Sequence, residues 1–264
     1  MALPWRTALV TGASSGIGEA LALRLADDGV EVVVCARRRE RLDELVARIR
    51  DNGGRARAAT MDVTDPDATV EIIRRADRDV GGLDLVVANA GLGRPQAAAT
   101  LGWEQSRDVF ATNFMGAMAT LTALLPKMVE RGRGHLVGVS SVAVYAPTPE
   151  GSAYRATKAG LTAFLENLRA ELGATGVKIT AVHPGFVQTP LADAFAIQPP
   201  FVVSAEQAAR HMVRKLRSAP AKIDFPWPVV LMMKLIGWTP AFLRDPLVRR
   251  VELGVPATPA NESR

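Results

Sequence analysis

Tyr154 and Lys158 stand four residues apart in the run Ser152-Ala-Tyr-Arg-Ala-Thr-Lys158, just downstream of Ser140 and Ser141. The run reads as the start of a helix. Four residues on a helix are about one turn, so phenol and ammonium share a face. A cation close to a phenol favours the phenolate and lowers its pKa from about 10. That brings a proton donor and acceptor toward neutral pH, where general acid–base catalysis is most effective. Alone, the spacing also suits a half-buried Tyr beside a solvated Lys, so the rest of the chain has to decide.

The run Thr11-Gly-Ala-Ser-Ser-Gly-Ile-Gly18 carries a second kind of chemistry. Glycines at 12, 16 and 18 allow a tight turn and close approach to a phosphate. Free amides and the helix dipole then face the anion, with Ser14, Ser15 and Ile17 beside it. A Gly-rich turn can be only a turn. Its place between a strand and a helix points to a dinucleotide site. Selection of NAD usually needs an acid at the end of the second strand. Here Ala36 holds that place and Arg37-Arg38 follow. Two guanidiniums suit a 2′-phosphate bound bidentately, so NADP(H) is expected in preference to NAD(H).

These groups need a scaffold, and the chain alternates short β-branched runs with helical patterns. Strand-like runs are Thr7-Ala-Leu-Val10, Val30 to Val34, Ala56 to Met61, Leu83 to Val87, His135 to Val139, Val177 to Val182, and a weaker Lys222 to Phe225. Between them, Gly16 to Asp28 and Arg41 to Arg50 follow helical periodicity. The pattern predicts an α/β fold, Rossmann-like and doubly wound, with a mostly parallel seven-stranded sheet and helices on both faces. All 264 residues are read as one dinucleotide-binding oxidoreductase domain. Its core covers about 5–190, a substrate lid about 190–220, an apolar extension about 221–253, and a frayed tail 254–264. Ser204-Ala-Glu-Gln207 is a capping box that opens a helix to about Arg217.

Composition narrows the function classes. The chain is 48% hydrophobic and 22% charged, ordinary for a soluble globular protein. Its net charge of +5 comes from arginines interleaved with acids along helix faces, as in Arg38-Arg-Glu-Arg-Leu-Asp-Glu44. No basic stripe with aromatics points to nucleic acid. Cys35 is a single cysteine and reads as a small core residue. His135, His183 and His211 lack metal-ligand spacing, so no metal is expected. The first residues show no basic-then-apolar leader, which makes the cytoplasm the default expectation.

With the glycine loop, Asn89-Ala-Gly91, Ser141, Tyr154-x-x-x-Lys158 and Pro184-Gly185 in this order, the chain resembles a short-chain dehydrogenase/reductase of the single-domain branch with TGxxxGxG spacing. The resemblance covers roughly 6–190. It implies that Tyr154 is the acid/base on the substrate oxygen and that Lys158 lowers its pKa and holds the nicotinamide ribose. It implies that Ser141, rather than Ser140, hydrogen-bonds the substrate oxygen. Asn113 would keep a proton-relay water beside the lysine; an exposed helical Asn is the alternative. Asp62 and Val63 would contact the adenine, and Asn89, Ala90 and Gly91 would lie under the ribose and nicotinamide. Pro184, Gly185, Val187 and Thr189 would hold the carboxamide and pyrophosphate. Ala88 departs from the family, where a second Asn is common, and little effect on chemistry is expected. The family also implies homodimers or homotetramers, through helices equivalent to Trp103–Met128 and Ala153–Leu172.

The substrate is expected to be a small hydrophobic carbonyl or alcohol. Three segments should wall its pocket: 91–97, 142–151 and the lid after Thr189, with Leu191, Phe195, Ile197 and Phe201 as apolar contacts. The segment from Phe225 to Leu253 is dense in large apolar groups. Packing or a substrate entrance is favoured for it over contact with a membrane surface. Two alternatives to an oxidoreductase are an NADP(H)-binding sensor with little turnover and a peripheral membrane protein. A complete Asn113, Ser141, Tyr154 and Lys158 set argues against the sensor.

Overall fold

Val32, Val33, Val34 and Cys35 follow one another without a polar break, and all four are buried. Successive side chains on a strand point to opposite faces, so such a run needs cover on both sides. The computed structural model, which describes residues 3–190 and 201–249, places this run in the interior of a parallel sheet. Val32 and Val34 join one core cluster, and Val33 and Cys35 the other.

The strands are β1 (Thr7–Thr11), β2 (Glu31–Ala36), β3 (Ala56–Thr60), β4 (Leu85–Ala88), β5 (Gly134–Val139), β6 (Val177–Pro184), β7 (Val187–Gln188), β8 (Val203–Ser204) and β9 (Lys222–Phe225). Seven form one sheet in the order β3-β2-β1-β4-β5-β6-β9, every pair parallel, while β7 and β8 pair separately. The doubly wound α/β expectation is met. Chain order reverses at β1, which lies between β2 and β4; in such sheets ligands bind in the crevice beyond that point.

One face is covered by α1 (Gly16–Asp27), α2 (Arg39–Asp51) and α8 (Ala205–Leu216). The other carries α3 (Pro66–Asp79), α5 (Gly116–Thr122), α6 (Leu125–Glu130) and α7 (Ser152–Glu171), with α4 (Trp103–Phe110) leading into α5. The helical run Trp103–Glu130 is long and apolar enough to cross a bilayer, but half of its apolar 18-residue stretch is buried in the fold. Helices α9 (Trp227–Trp238) and α10 (Ala241–Arg249) follow β9. Val229, Val230 and Met233 of α9 pack on Val142 and Ala146 in a third, smaller cluster.

Most elements fall within two residues of the sequence reading. Strand β4 starts at Leu85 rather than Leu83 because the Leu83 N–H donates to the Asp77 carboxylate at 2.8 Å instead of to a strand. The capping box forms: Gln207 N–H donates to Ser204 Oγ at 3.2 Å, and Ser204 N–H donates to Gln207 Oε1 at 3.0 Å. Leu191, Phe195 and Ile197 of the expected lid lie outside the described residues, as do the end of the apolar extension and the whole of 254–264.

Candidate active site

Strand β1 ends at Thr11, whose side chain ties it to its neighbour. Thr11 Oγ1 accepts from Asn89 N–H at 3.0 Å and Ala90 N–H at 3.1 Å, and Asn89 Nδ2 donates to Thr11 O at 2.9 Å. The turn after β1 thus lies directly against the turn after β4. Gly12 has φ of +66°, and a Cβ there would come within 2.8 Å of Ala90 Cα. A Cβ on Gly18 would strike the Gly12 carbonyl and the Asn89 amide, so both positions require glycine. Ser15, at the N-cap of α1, makes no side-chain cap, which leaves first-turn N–H groups open to an anion.

Gly12, Ser14, Ser15, Gly16 and Ile17 line one cleft of about 650 Å³ together with Arg37, Arg38, Asp62, Val63, Asn89, Ala90 and Gly91. Ser141, Tyr154, Lys158, Pro184, Gly185, Val187 and Thr189 complete the expected set around it. Gly18 and Asn113 stand behind the wall. Arg38 Nη2 donates to Ser14 Oγ at 2.8 Å and to Ser15 Oγ at 3.0 Å, which brings its guanidinium onto the glycine loop. Arg37 Nη1 is 3.9 Å from Asp62 Oδ2, with both side chains largely in solvent. Ala36 offers no carboxylate at the end of β2. Strands β2 and β5 are three strand spacings apart, about 14 Å, a distance an extended dinucleotide can bridge. The residues present fit such a cofactor.

Ser141 follows β5, and Tyr154 and Lys158 lie in the first two turns of α7. Ser141 lies beside the Tyr154 hydroxyl, its own Oγ accepting from Ala143 N–H at 3.2 Å. Lys158 Nζ donates to the Val139 carbonyl at 2.8 Å and lies 5.7 Å from the centre of the Tyr154 ring. Burial raises the Tyr154 pKa, against a smaller downward pull from the Ser141 hydrogen bond. Burial also lowers Lys158 to about 8. The expectation that Lys158 depresses the phenol is therefore corrected for this structure. Loss of water is the larger influence on the phenol, and Lys158 Nζ is turned to a backbone carbonyl.

Asn113 is fully buried, so the exposed alternative does not hold. It sits in a π-helical turn, Ala111–Met115, between α4 and α5; such turns occur often at functional sites. Its Oδ1 accepts from Leu92 N–H at 2.7 Å, and its Nδ2 donates to Leu92 O at 2.9 Å and Thr157 Oγ1 at 3.3 Å. A Cβ on Gly91 would lie 3.6 Å from both Asn113 Oδ1 and Lys158 Nζ, so the two groups border one small space. Ser140 turns inward, donating to Lys158 O at 2.9 Å.

The apolar segment after Phe225, expected to pack or to form a substrate entrance, supplies part of the wall, although the sequence did not single out which of its residues. Met232, Met233 and Ile236 of α9 and Val248 of α10 line the cleft. No spacing signal announces these positions, because α9 reaches the cleft by packing on Val142 and Ala146. Phe201 is corrected in the other direction. It is 59% exposed with φ of +63° and does not line the cleft. Pairing of β8 with β7 carries the chain past the pocket at that point. Among the described residues, no group of three or more His, Cys, Asp or Glu side chains is placed to hold a metal.

The family model for short chain dehydrogenase matches residues 6–199. The chain belongs to that family. This short-chain dehydrogenase is 44% identical over 249 residues to an uncharacterized oxidoreductase of Myxococcus xanthus, covering 94% of this chain and 98% of the relative. It is 37% identical over 191 residues to an uncharacterized oxidoreductase of Staphylococcus saprophyticus, covering 70% of this chain and 80% of that one. Among solved structures it resembles a short-chain dehydrogenase from Sphingobium yanoikuyae in complex with NADPH, with a TM-score of 0.79 and 27% identity over 95% of this chain and 98% of that one. It also resembles a variant actinorhodin polyketide ketoreductase with NADPH, with a TM-score of 0.77 and 30% identity over 87% and 99% of the two chains. The dehydrogenase is thus an oxidoreductase of the Rossmann type.

Proposed function

We propose that this oxidoreductase interconverts a carbonyl and a secondary alcohol on a hydrophobic small molecule, using NADP(H) in preference to NAD(H). The observation that carries the reading is that a single cleft brings together Ser141, Tyr154, Lys158 and the Arg38–Ser14 contact.

The uncapped first turn of α1 would hold the pyrophosphate, and Arg38, with Arg37 beside it, would hold the 2′-phosphate. The NADPH complexes of the Sphingobium dehydrogenase and the ketoreductase support this choice. The bound cofactor supplies the hydride chemistry. Tyr154 gives its proton to the substrate oxygen during reduction, and Ser141 hydrogen-bonds the same oxygen. The burial that raises the Tyr154 pKa keeps the phenol protonated, as a reduction requires. Lys158 would hold the ribose hydroxyls, and Asn113, which borders the same small space as Lys158 Nζ, would hold the wall where water resupplies the proton. Met232, Met233, Ile236 and Val248 make the substrate end apolar. Assembly through the helices that expose Trp103, Phe110 and Met115 would give the family's dimer or tetramer.

Tyr154→Phe tests the assignment. Turnover of hydrophobic ketones with NADPH should fall by about a thousandfold, within the range of a lost general acid. NADPH binding, followed by quenching of the four tryptophans, should stay within about twofold because Phe removes only one hydroxyl. Near-normal turnover rejects Tyr154 as the acid.

A further inference from the structure

Helix α9 is apolar on both sides. Val229, Val230 and Met233 face the interior, and a Cβ on Gly237 would strike the Tyr145 carbonyl, so the helix lies close against the fold. A surface helix needs only one such stripe. On the other side Trp227, Leu231, Leu235 and Trp238 recur at helical spacing and are exposed, the two tryptophans by 74% and 77%. Phe242, at the start of α10, continues the face at 76%. Contiguous apolar surface of this kind marks an interaction site.

Charge selects the occupant. Lys234 pairs with Asp224 and Arg244 with Asp245, the sequence adds Arg249 and Arg250 beyond these pairs, and the chain as a whole carries a net charge of +5. Two copies of such a segment would repel across a self-complementary contact, whereas anionic lipid headgroups attract it. Lys234 turns inward to Asp224, so no charge interrupts the outer stripe. Tryptophans at both ends of a helix suit a membrane–water interface. Twelve residues are too few to span a bilayer, so the helix would lie in the plane of the surface. Met232 belongs both to the exposed face and to the lining of the cleft.

We propose that the outer face of α9 and the start of α10 docks on an anionic lipid surface, and that hydrophobic substrate enters the cleft from there past Met232. The substrate half rests on the carbonyl–alcohol reading; the docking half does not.

The test sediments the full chain with phosphatidylcholine vesicles, with and without phosphatidylglycerol. The double variant Leu231→Glu/Trp238→Glu, altered only at exposed positions, is run beside it. The wild type should sediment with vesicles containing phosphatidylglycerol. The variant should partition about a hundredfold less, having lost two apolar contacts. NADPH binding by calorimetry should match in the two proteins. Wild type left in the supernatant with both vesicles overturns the proposal, as does a variant that sediments like wild type. A wild type that ignores vesicles but elutes as a larger species than the variant assigns the face to a second copy, and also overturns it. Vesicle binding without NADPH binding in either protein keeps the docking and removes the cofactor reading.

Discussion

Lys234 Nζ, on α9, donates to Asp224 Oδ2, on β9, at 3.2 Å. The same carboxylate accepts from the Tyr145 hydroxyl at 2.9 Å and faces His183 Nδ1 at 2.8 Å. Thr162 Oγ1 lies 3.1 Å from His183 Nε2 and 2.8 Å from Ser140 Oγ. A His183 tautomer with its proton on Nδ1 lets the ring donate to Asp224. The tail helix is thus connected through Asp224 to the segment that bears Ser141 and to the backbone of Lys158.

Asp224 is the joint of this connection. Burial alone would raise its pKa, but hydrogen bonds from His183, Tyr145 and Lys234 outweigh burial and hold it at about 2. Its stabilisation is present above the ordinary value of 3.8 and is lost as pH falls through about 2. Asp224→Ala strands His183 in the interior, at a cost of about 2 kcal/mol after allowing for the carboxylate's partial exposure. The melting temperature should drop by about 4–8 °C for a chain of this size. KM for hydrophobic substrate should rise severalfold as the Met232–Ile236 wall loosens, with NADPH affinity unchanged. A lowered melting temperature with unaltered KM would make the carboxylate a brace without influence on the cleft.

Arg38 should decide the choice between cofactors. Its guanidinium lies on the glycine loop through Ser14 and Ser15, where a 2′-phosphate would sit. A charge-assisted bidentate contact contributes about 1.5–3 kcal/mol, so Arg38→Ala should weaken NADPH by about 10–100-fold. NADH, which lacks the phosphate, should change little. Ala36→Asp, at the end of β2, should go further and favour NADH by repelling the phosphate and accepting from the ribose hydroxyls. Parallel titrations measure both; equal losses for the two cofactors in Arg38→Ala would remove Arg38 from selectivity.

Lys158 should cost stability in the chain without cofactor. Burial lowers it from 10.5 to about 8, so between those values the unfolded chain holds a proton that the folded chain lacks. Stability therefore rises with pH across that window, and the cost is fully present below about 8. At about 1.4 kcal/mol per pKa unit, the difference between 10.5 and about 8 amounts to about 3 kcal/mol. The Val139 carbonyl, left without its donor in Lys158→Met, takes back about 1–2 kcal/mol. Lys158→Met should melt a few degrees higher at neutral pH, lose that advantage near pH 10.5, and lose turnover. A deficit of constant size at every pH would contradict the buried ammonium.

The parts of this protein that rest on short-range geometry were legible in its residues. The unbroken apolar run Val32 to Cys35 predicts a strand covered on both faces, because side chains must point both ways whatever surrounds them. Gly12 and Gly18 announce the phosphate turn because only glycine permits that approach, and four residues bring Tyr154 and Lys158 to one face because a helix turns in about that number. Tertiary packing decided the rest. It reversed the direction of the Tyr154 shift, since desolvation depends on every atom around the phenol. It turned Phe201 outward and brought Met232 and Val248 to a cleft whose chemistry is carried by residues far earlier in the chain. It joined His183 to Asp224 across 41 positions, a contact that parallel pairing of β6 with β9 creates and no local spacing encodes.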